Sequence, residues 1–112
     1  MAVINIIELT KTNFAAEALR CCVPVLVSFW AGWCKPCLML RPILEDLAIE
    51  YEGQVKIATV NVDDHPELAK EYGISAVPTI LLFKDGQVQD VIVGLKSKGD
   101  LESSLERVLT PP

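Results

Sequence analysis

The chain has 112 residues, half of them apolar, and a formal net charge of -5. That length and apolar content read as a single domain, 1–112, with a core of its own, and exclude a disordered chain. The acidic balance, with ten scattered Lys and Arg, excludes a nucleic-acid surface, and no apolar run approaches the roughly 18–20 residues that cross a bilayer. Met1-Ala2-Val3-Ile4-Asn5 lacks a basic region and a cleavage site, so the expectation is a cytoplasmic protein. In such a reducing compartment a cycling disulfide is expected rather than a permanent one.

Val3 to Leu9 mixes β-branched and polar residues and predicts an edge strand. Thr12 is the expected cap of a short helix to about Arg20, with Phe14, Ala15, Ala18 and Leu19 on one face. Cys21-Cys22-Val23-Pro24 breaks it. Val25 to Ala31 is apolar at both alternating sets of positions, the signature of a central strand covered on both sides, and Gly32 ends it. A helix is predicted from about Cys34 to Tyr51, with Leu40, Leu44, Leu47 and Tyr51 toward the core. Pro42 inside it cannot bond the carbonyl of Leu38, which predicts a kink.

Gly53 closes that segment, and Val55 to Val62 is a second buried strand. Asp64-His65-Pro66-Glu67 predicts a helix start with a capping box and a first-turn proline, ending at Gly73. Thr79 to Phe83 is a strand, Asp85-Gly86 a two-residue hairpin turn, and Gln87 to Val93 the returning strand. Ser97-x-x-Asp100 opens a last amphipathic helix carrying Leu101, Leu105, Val108 and Leu109. The order β-α-β-α-β-α-β-β-α predicts an α/β fold. Its centre is a mixed sheet of about five strands, the first ones parallel and the last two a hairpin, with four helices on both faces.

Trp33-Cys34-Lys35-Pro36-Cys37 carries the chemistry. The spacing puts Cys34 at a helix start and Cys37 about one turn inside. The first N–H groups of a helix have no internal partner and carry partial positive charge, so they stabilise a thiolate at Cys34. A Cys-x-x-Cys beside a βαβ pattern points to dithiol–disulfide chemistry. The bland alternative is a pair of small core hydrophobes. A zinc site of Cys21, Cys22, Cys34 and Cys37 is a further alternative, but adjacent cysteines chelate poorly and His65 lies elsewhere. Cys21 and Cys22 read as ordinary helix-end residues or as a second redox handle. Trp30 is expected to support the loop, Glu45 and Asp46 to form a solvated helix face, and His65 to lie on the surface without catalytic duty.

The chain resembles the thioredoxin family over essentially its whole length. The resemblance rests on Phe29-Trp30-Ala31-x-Trp33-Cys34-x-Pro36-Cys37, on Pro42 in the helix and on Tyr72-Gly73-Ile74-x-x-Val77-Pro78-Thr79. Asp85-Gly86 and Val93-Gly94 complete it. It implies the thioredoxin fold, with Pro78 after a cis bond and packed against the cysteines. The backbone of Val77 is then left for strand addition by an extended substrate. Trp33, Pro36, Val77, Pro78, Val93 and Gly94 match the family's apolar contact surface. The implied activity is protein-disulfide reduction: an exposed Cys34 thiolate attacks a substrate disulfide, and Cys37 then attacks the Cys34 sulfur and releases the reduced substrate. The implied partners are disulfide-containing targets and a thioredoxin reductase, NADPH- or ferredoxin-linked. No cofactor and no metal are implied, and the protein is expected to be a monomer.

Two features depart from the family pattern. Lys35 stands where most members have Gly, and its ammonium favours the Cys34 thiolate and a more oxidising couple, opposed by the helix dipole. Ser28 stands where the family usually has a buried Asp that helps deprotonate Cys37, and Thr59 stands where it usually has the partner Lys. Losing both removes a buried charged pair without stranding one charge, and predicts a slower second step. Two other functions stay open. One is a more oxidising, isomerase-like protein, favoured by Lys35 and disfavoured by the missing export signal. The other is a redox-linked module that binds a partner through Val77 and Pro78.

Overall fold

The computed structural model describes residues 5–110. The expected first residues of the edge strand, Val3 and Ile4, and the terminal Pro111-Pro112 lie outside them. The strands are β1 (Ile6–Glu8), β2 (Val25–Trp30), β3 (Lys56–Asn61), β4 (Thr79–Lys84) and β5 (Gln87–Val93). They form one sheet in the order β1-β3-β2-β4-β5. β3 runs parallel to both β1 and β2, while β4 runs antiparallel to β2 and β5. The helices are α1 (Lys35–Glu50), α2 (Pro66–Glu71), α3 (Lys98–Leu109) and a five-residue π-type helix, Ala15–Leu19.

Side chains of a strand alternate between faces, so β2 feeds two cores. Leu26 of β2 joins Ile57, Ile80 and Leu82 from its neighbours against Leu40, Leu44 and Leu47 of α1 and Leu101 and Leu105 of α3. Val25, Val27 and Phe29 join Ala58, Val60, Leu81 and Phe83 on the other face, under Phe14, the N-cap of the π-type helix, Ala18 within it and Leu68 of α2. Helices therefore cover both faces, as the doubly apolar run of β2 predicts. α1 continues through Pro42, with Leu40, Leu44, Leu47 and Tyr51 all buried.

Local chemistry differs from the sequence reading at two helix starts. Thr12 does not cap the first helix. The Thr10 hydroxyl accepts from the amides of Thr12 and Asn13, and Asn13 Oδ1 accepts from the Thr10 amide at 2.7 Å. This reciprocal pair does the work expected two residues later, at Thr12. At α2 the cap position falls on His65, which makes no capping hydrogen bond. Asn61 Oδ1 instead takes the amides of Asp63 and Asp64. Ser97 caps α3 as expected, accepting from the Asp100 amide at 3.1 Å.

The Asp85-Gly86 turn has positive φ at both residues, 54° and 78°. That is the twist a two-residue hairpin needs. A Cβ on Gly86 would also sit 3.0 Å from the carbonyl oxygen of Leu19, so the turn rests on the end of the first helix. Along the hairpin, Leu82 faces Asp90 and Phe83 faces Val88, which leaves Gln89 as a bulge.

Candidate active site

Cys34 is the N-cap of α1, and Cys37 lies in its first turn. The sharp strand-to-helix bend is local: Gly32 follows β2, the Cys34 amide donates to the Ala31 carbonyl at 3.2 Å, and Pro36 occupies the first turn, where a missing N–H costs nothing. The two cysteines are joined by a disulfide, with Cα atoms 5.3 Å apart. The Cys37 amide donates to Cys34 Sγ at 3.2 Å. That amide is one of the unpaired N–H groups of the helix start, and in the reduced protein it stabilises negative charge on the same sulfur.

The accessibility of Cys34 is a correction. The sequence reading makes it an exposed thiolate, whereas in the disulfide form Cys34 is 4% exposed and Cys37 6%. Ala31 is buried with them, and Trp30, Val62 and Val77 pack around the three. Exposure belongs instead to the rim. Trp33 is 71% exposed, and its indole Nε1 donates to Asp63 Oδ2 at 3.0 Å. Lys35 and Pro36 are exposed, and Val93 projects from the end of β5.

The opposite side of the rim is the loop before β4. The Val77–Pro78 peptide bond is cis, and the Val77 carbonyl oxygen lies 3.6 Å from Cys34 Sγ. Pro78 is buried, and its carbonyl accepts from the Gly94 amide at 2.8 Å. The structure thus brings Trp33, Val77, Pro78, Val93 and Gly94 to one end of the sheet around the disulfide. A groove of about 160 Å³ runs beside it between Trp33, Val62, Ala69 and the loop Ile74–Val77. The 74–76 part of that groove and the Asp63 carboxylate under Trp33 were not legible in the sequence, because both depend on loops from different strands meeting.

Behind Cys37 the picture is different. Ser28 and Thr59 face each other across β2 and β3, both buried, on the α1 side of the sheet. They line a cavity of about 200 Å³ with Cys37, Trp30, Leu38, Arg41 and Leu44. The indole Nε1 of Trp30 is buried without a hydrogen-bond partner. Arg41 follows Cys37 by one helical turn, a spacing that marks it as a neighbour of the site. Its Nε lies 3.4 Å from Glu45 Oε2.

Cys21 is half-buried and Cys22 exposed, and both are free thiols. Among the described residues no three of His, Cys, Asp and Glu gather into a metal-binding group, and Cys34 and Cys37 are paired with each other in a disulfide. Nor is any described helix long and apolar enough to cross a membrane.

Residues 5–107 match the family model described as Thioredoxin. The chain is 44% identical to "Thioredoxin 1" of Nostoc sp. over 91% of its own length and 95% of that protein. It is 40% identical to "Thioredoxin" of Porphyra purpurea, over 95% and 99% of the two chains. Against "Thioredoxin" of Rickettsia felis it is 45% identical over 84% and 90%.

Proposed function

The chain belongs to the thioredoxin family and is a thiol–disulfide oxidoreductase, and from that premise we propose how its own residues divide the reaction. Cys34 is the nucleophile. Its thiolate attacks a substrate disulfide, and one substrate sulfur leaves as a thiolate. Cys37 then loses its proton and attacks Cys34 Sγ, the second substrate sulfur leaves, and the Cys34–Cys37 disulfide forms. The observation that carries this reading is the pairing itself: a disulfide at the first turn of α1, with the Cys37 amide on Cys34 Sγ.

Substrate docks along the rim. Trp33 and Pro36 contact it on one side, and Val77, Pro78, Val93 and Gly94 on the other. The Val77 backbone offers an extended segment a strand to add to. Entry to a largely covered Cys34 is along this rim. Lys35, on the first turn beside the nucleophile, makes the couple more oxidising. Ser28 supplies no acid or base behind Cys37, which slows the second step.

Partners of this family are disulfide-containing proteins and reductases in general. For this chain we infer re-reduction by a thioredoxin reductase, NADPH- or ferredoxin-linked, and action as a cytoplasmic monomer built of one domain, 1–112. Insulin reduction with each reductase in turn tests the reading. Turnover is expected with one of them. Cys34→Ser is expected to abolish it, and Cys37→Ser to stop at a mixed disulfide. Turnover surviving Cys34→Ser would overturn the assignment.

A further inference from the structure

The cavity beside Cys37 is lined to favour an anion. Its polar side chains are the hydroxyls of Ser28 and Thr59 and the guanidinium of Arg41, all able to donate, and among the described residues no carboxylate lines it. Trp30, Leu38 and Leu44 make the rest of the wall apolar, which strengthens the field of any charge nearby. The strands bring no charge: β2 supplies Ser28 and Trp30, and β3 supplies Thr59. Val62 and Val77, packed around the two cysteines, are apolar as well. Lys35 lies on α1 but does not line the cavity. The charge facing Cys37 is therefore that of Arg41, one turn further along α1. Its side chain is 47% exposed, and Glu45 Oε2 lies 3.4 Å from its Nε, so Glu45 shares the cation.

We propose that Arg41 is a positioning residue for the second step: its guanidinium stabilises the Cys37 thiolate across the cavity, and Glu45 limits that pull. It touches no substrate and acts through Cys37. In the step, Cys37 gives its proton to solvent, and the Cys37 Sγ thiolate attacks Cys34 Sγ. The Cys34–substrate S–S bond breaks, the substrate sulfur leaves with the electron pair and takes a proton from solvent, and the Cys34–Cys37 bond forms. A half-exposed, shared cation acts modestly. A titration midpoint about half a pH unit lower raises the thiolate fraction roughly threefold. The weaker nucleophilicity of a more acidic thiol gives back about half of that on a logarithmic scale, leaving about twofold. Arg41 thus offsets part of what the missing base behind Cys37 costs. The inference rests on Cys37 being the resolving thiol.

Stopped-flow mixing of the reduced full-length protein with excess protein disulfide separates attack by Cys34, which depends on substrate concentration, from release, which does not. The pH profile of the release rate reports the titration of Cys37. Arg41→Gln is expected to move that profile alkaline by about half a pH unit and to slow release about twofold at neutral pH. Glu45→Gln leaves the cation unshared, and is expected to move the profile to lower pH and to speed release. Arg41→Lys keeps the charge and is expected to keep the profile. The attack rate is expected to stay unchanged in all three. Were the Arg41–Glu45 pair merely a structural brace for α1, both Gln variants would act alike. Release profiles that move together or not at all, Arg41→Lys behaving as Arg41→Gln, or an attack rate that moves with release would each overturn the proposal while leaving Cys37 as the resolving thiol. A mixed disulfide that persists in the unaltered protein without any release phase would overturn both readings.

Discussion

The two faces of β2 are packed by different rules. Val25, Val27 and Phe29 point into an apolar cluster in which Phe14, Tyr72 and Phe83 meet edge-on or tilted, with ring centroids 5.2–5.9 Å apart. Such pairs add directional attraction to area burial. Leu26, Ser28 and Trp30 point the other way. Only Leu26 there belongs to the apolar core, and the next two positions border a cavity, a buried hydroxyl and an unpaired indole N–H. One strand thus holds the fold with one set of side chains and frames the cysteines with the other. The chemistry sits where packing is incomplete, because a reacting thiol needs polar neighbours and a path for its proton.

The sharpest way to break this comparison is to place the same charge on adjacent residues. Val27→Asp buries a carboxylate in the aromatic face with no donor near it, and is expected to cost more than ~4 kcal/mol and to leave the protein largely unfolded. Ser28→Asp places it in the cavity beside Thr59 and Arg41, and is expected to cost only about 1–3 kcal/mol and to speed release from the mixed disulfide. Urea denaturation of both variants decides it. Equal losses would show that the two faces are alike.

A smaller effect tests how the cavity-bearing face is held. Tyr51, at the end of α1, donates to Glu106 of α3 at 2.9 Å, and burial together with that carboxylate pushes its pKa from 10.0 up to about 12. Below pH 10 the phenol is neutral whether folded or unfolded. Between pH 10 and 12 the unfolded chain ionises first, so stability falls as pH rises through that window. Tyr51→Phe is expected to lose about 1 kcal/mol at neutral pH and to show a shallower alkaline fall. The slope that remains belongs to Lys56, Tyr72 and Lys98. Burial opposes the charge on Lys56, but Glu17 and Cys21 outweigh it and raise its pKa. Burial raises Tyr72, and the Glu50 hydrogen bond raises Lys98. Thermal melts from pH 8 to 11.5 measure the difference.

The smallest effect lies at the rim. Lys35→Gly removes an exposed cation from the first turn of α1, and is expected to make the couple more reducing by roughly 10–20 mV. Titration against glutathione buffers reads it. An unchanged or less negative potential would assign Lys35 no part in tuning the couple.

Much of this was legible in the chain itself. The doubly apolar run of β2 and the helical spacing in α1 report burial directly, because period and face are local geometry. Cys34-Lys35-Pro36-Cys37 shows its chemistry for the same reason: cap, first-turn proline and second sulfur are fixed by a few consecutive dihedrals. The caps at Thr10 and Asn61 were misread because several polar side chains near each helix start compete for the same amides, and the winner depends on how the preceding strand exits. The covering of Cys34 was misread because its walls, Ala31, Val62 and Val77, come from three separate segments.

Residue type and short-range spacing are enough to give the order of elements, the two apolar faces of the central strand and the reactive pair. That Ser28, Thr59, Trp30 and Arg41 share a cavity with Cys37 follows from long-range packing. That arrangement depends on the register of β2 against β3 and on the placement of α1 above them. Register and helix placement are set by the packing of the whole core, which no single stretch of chain encodes.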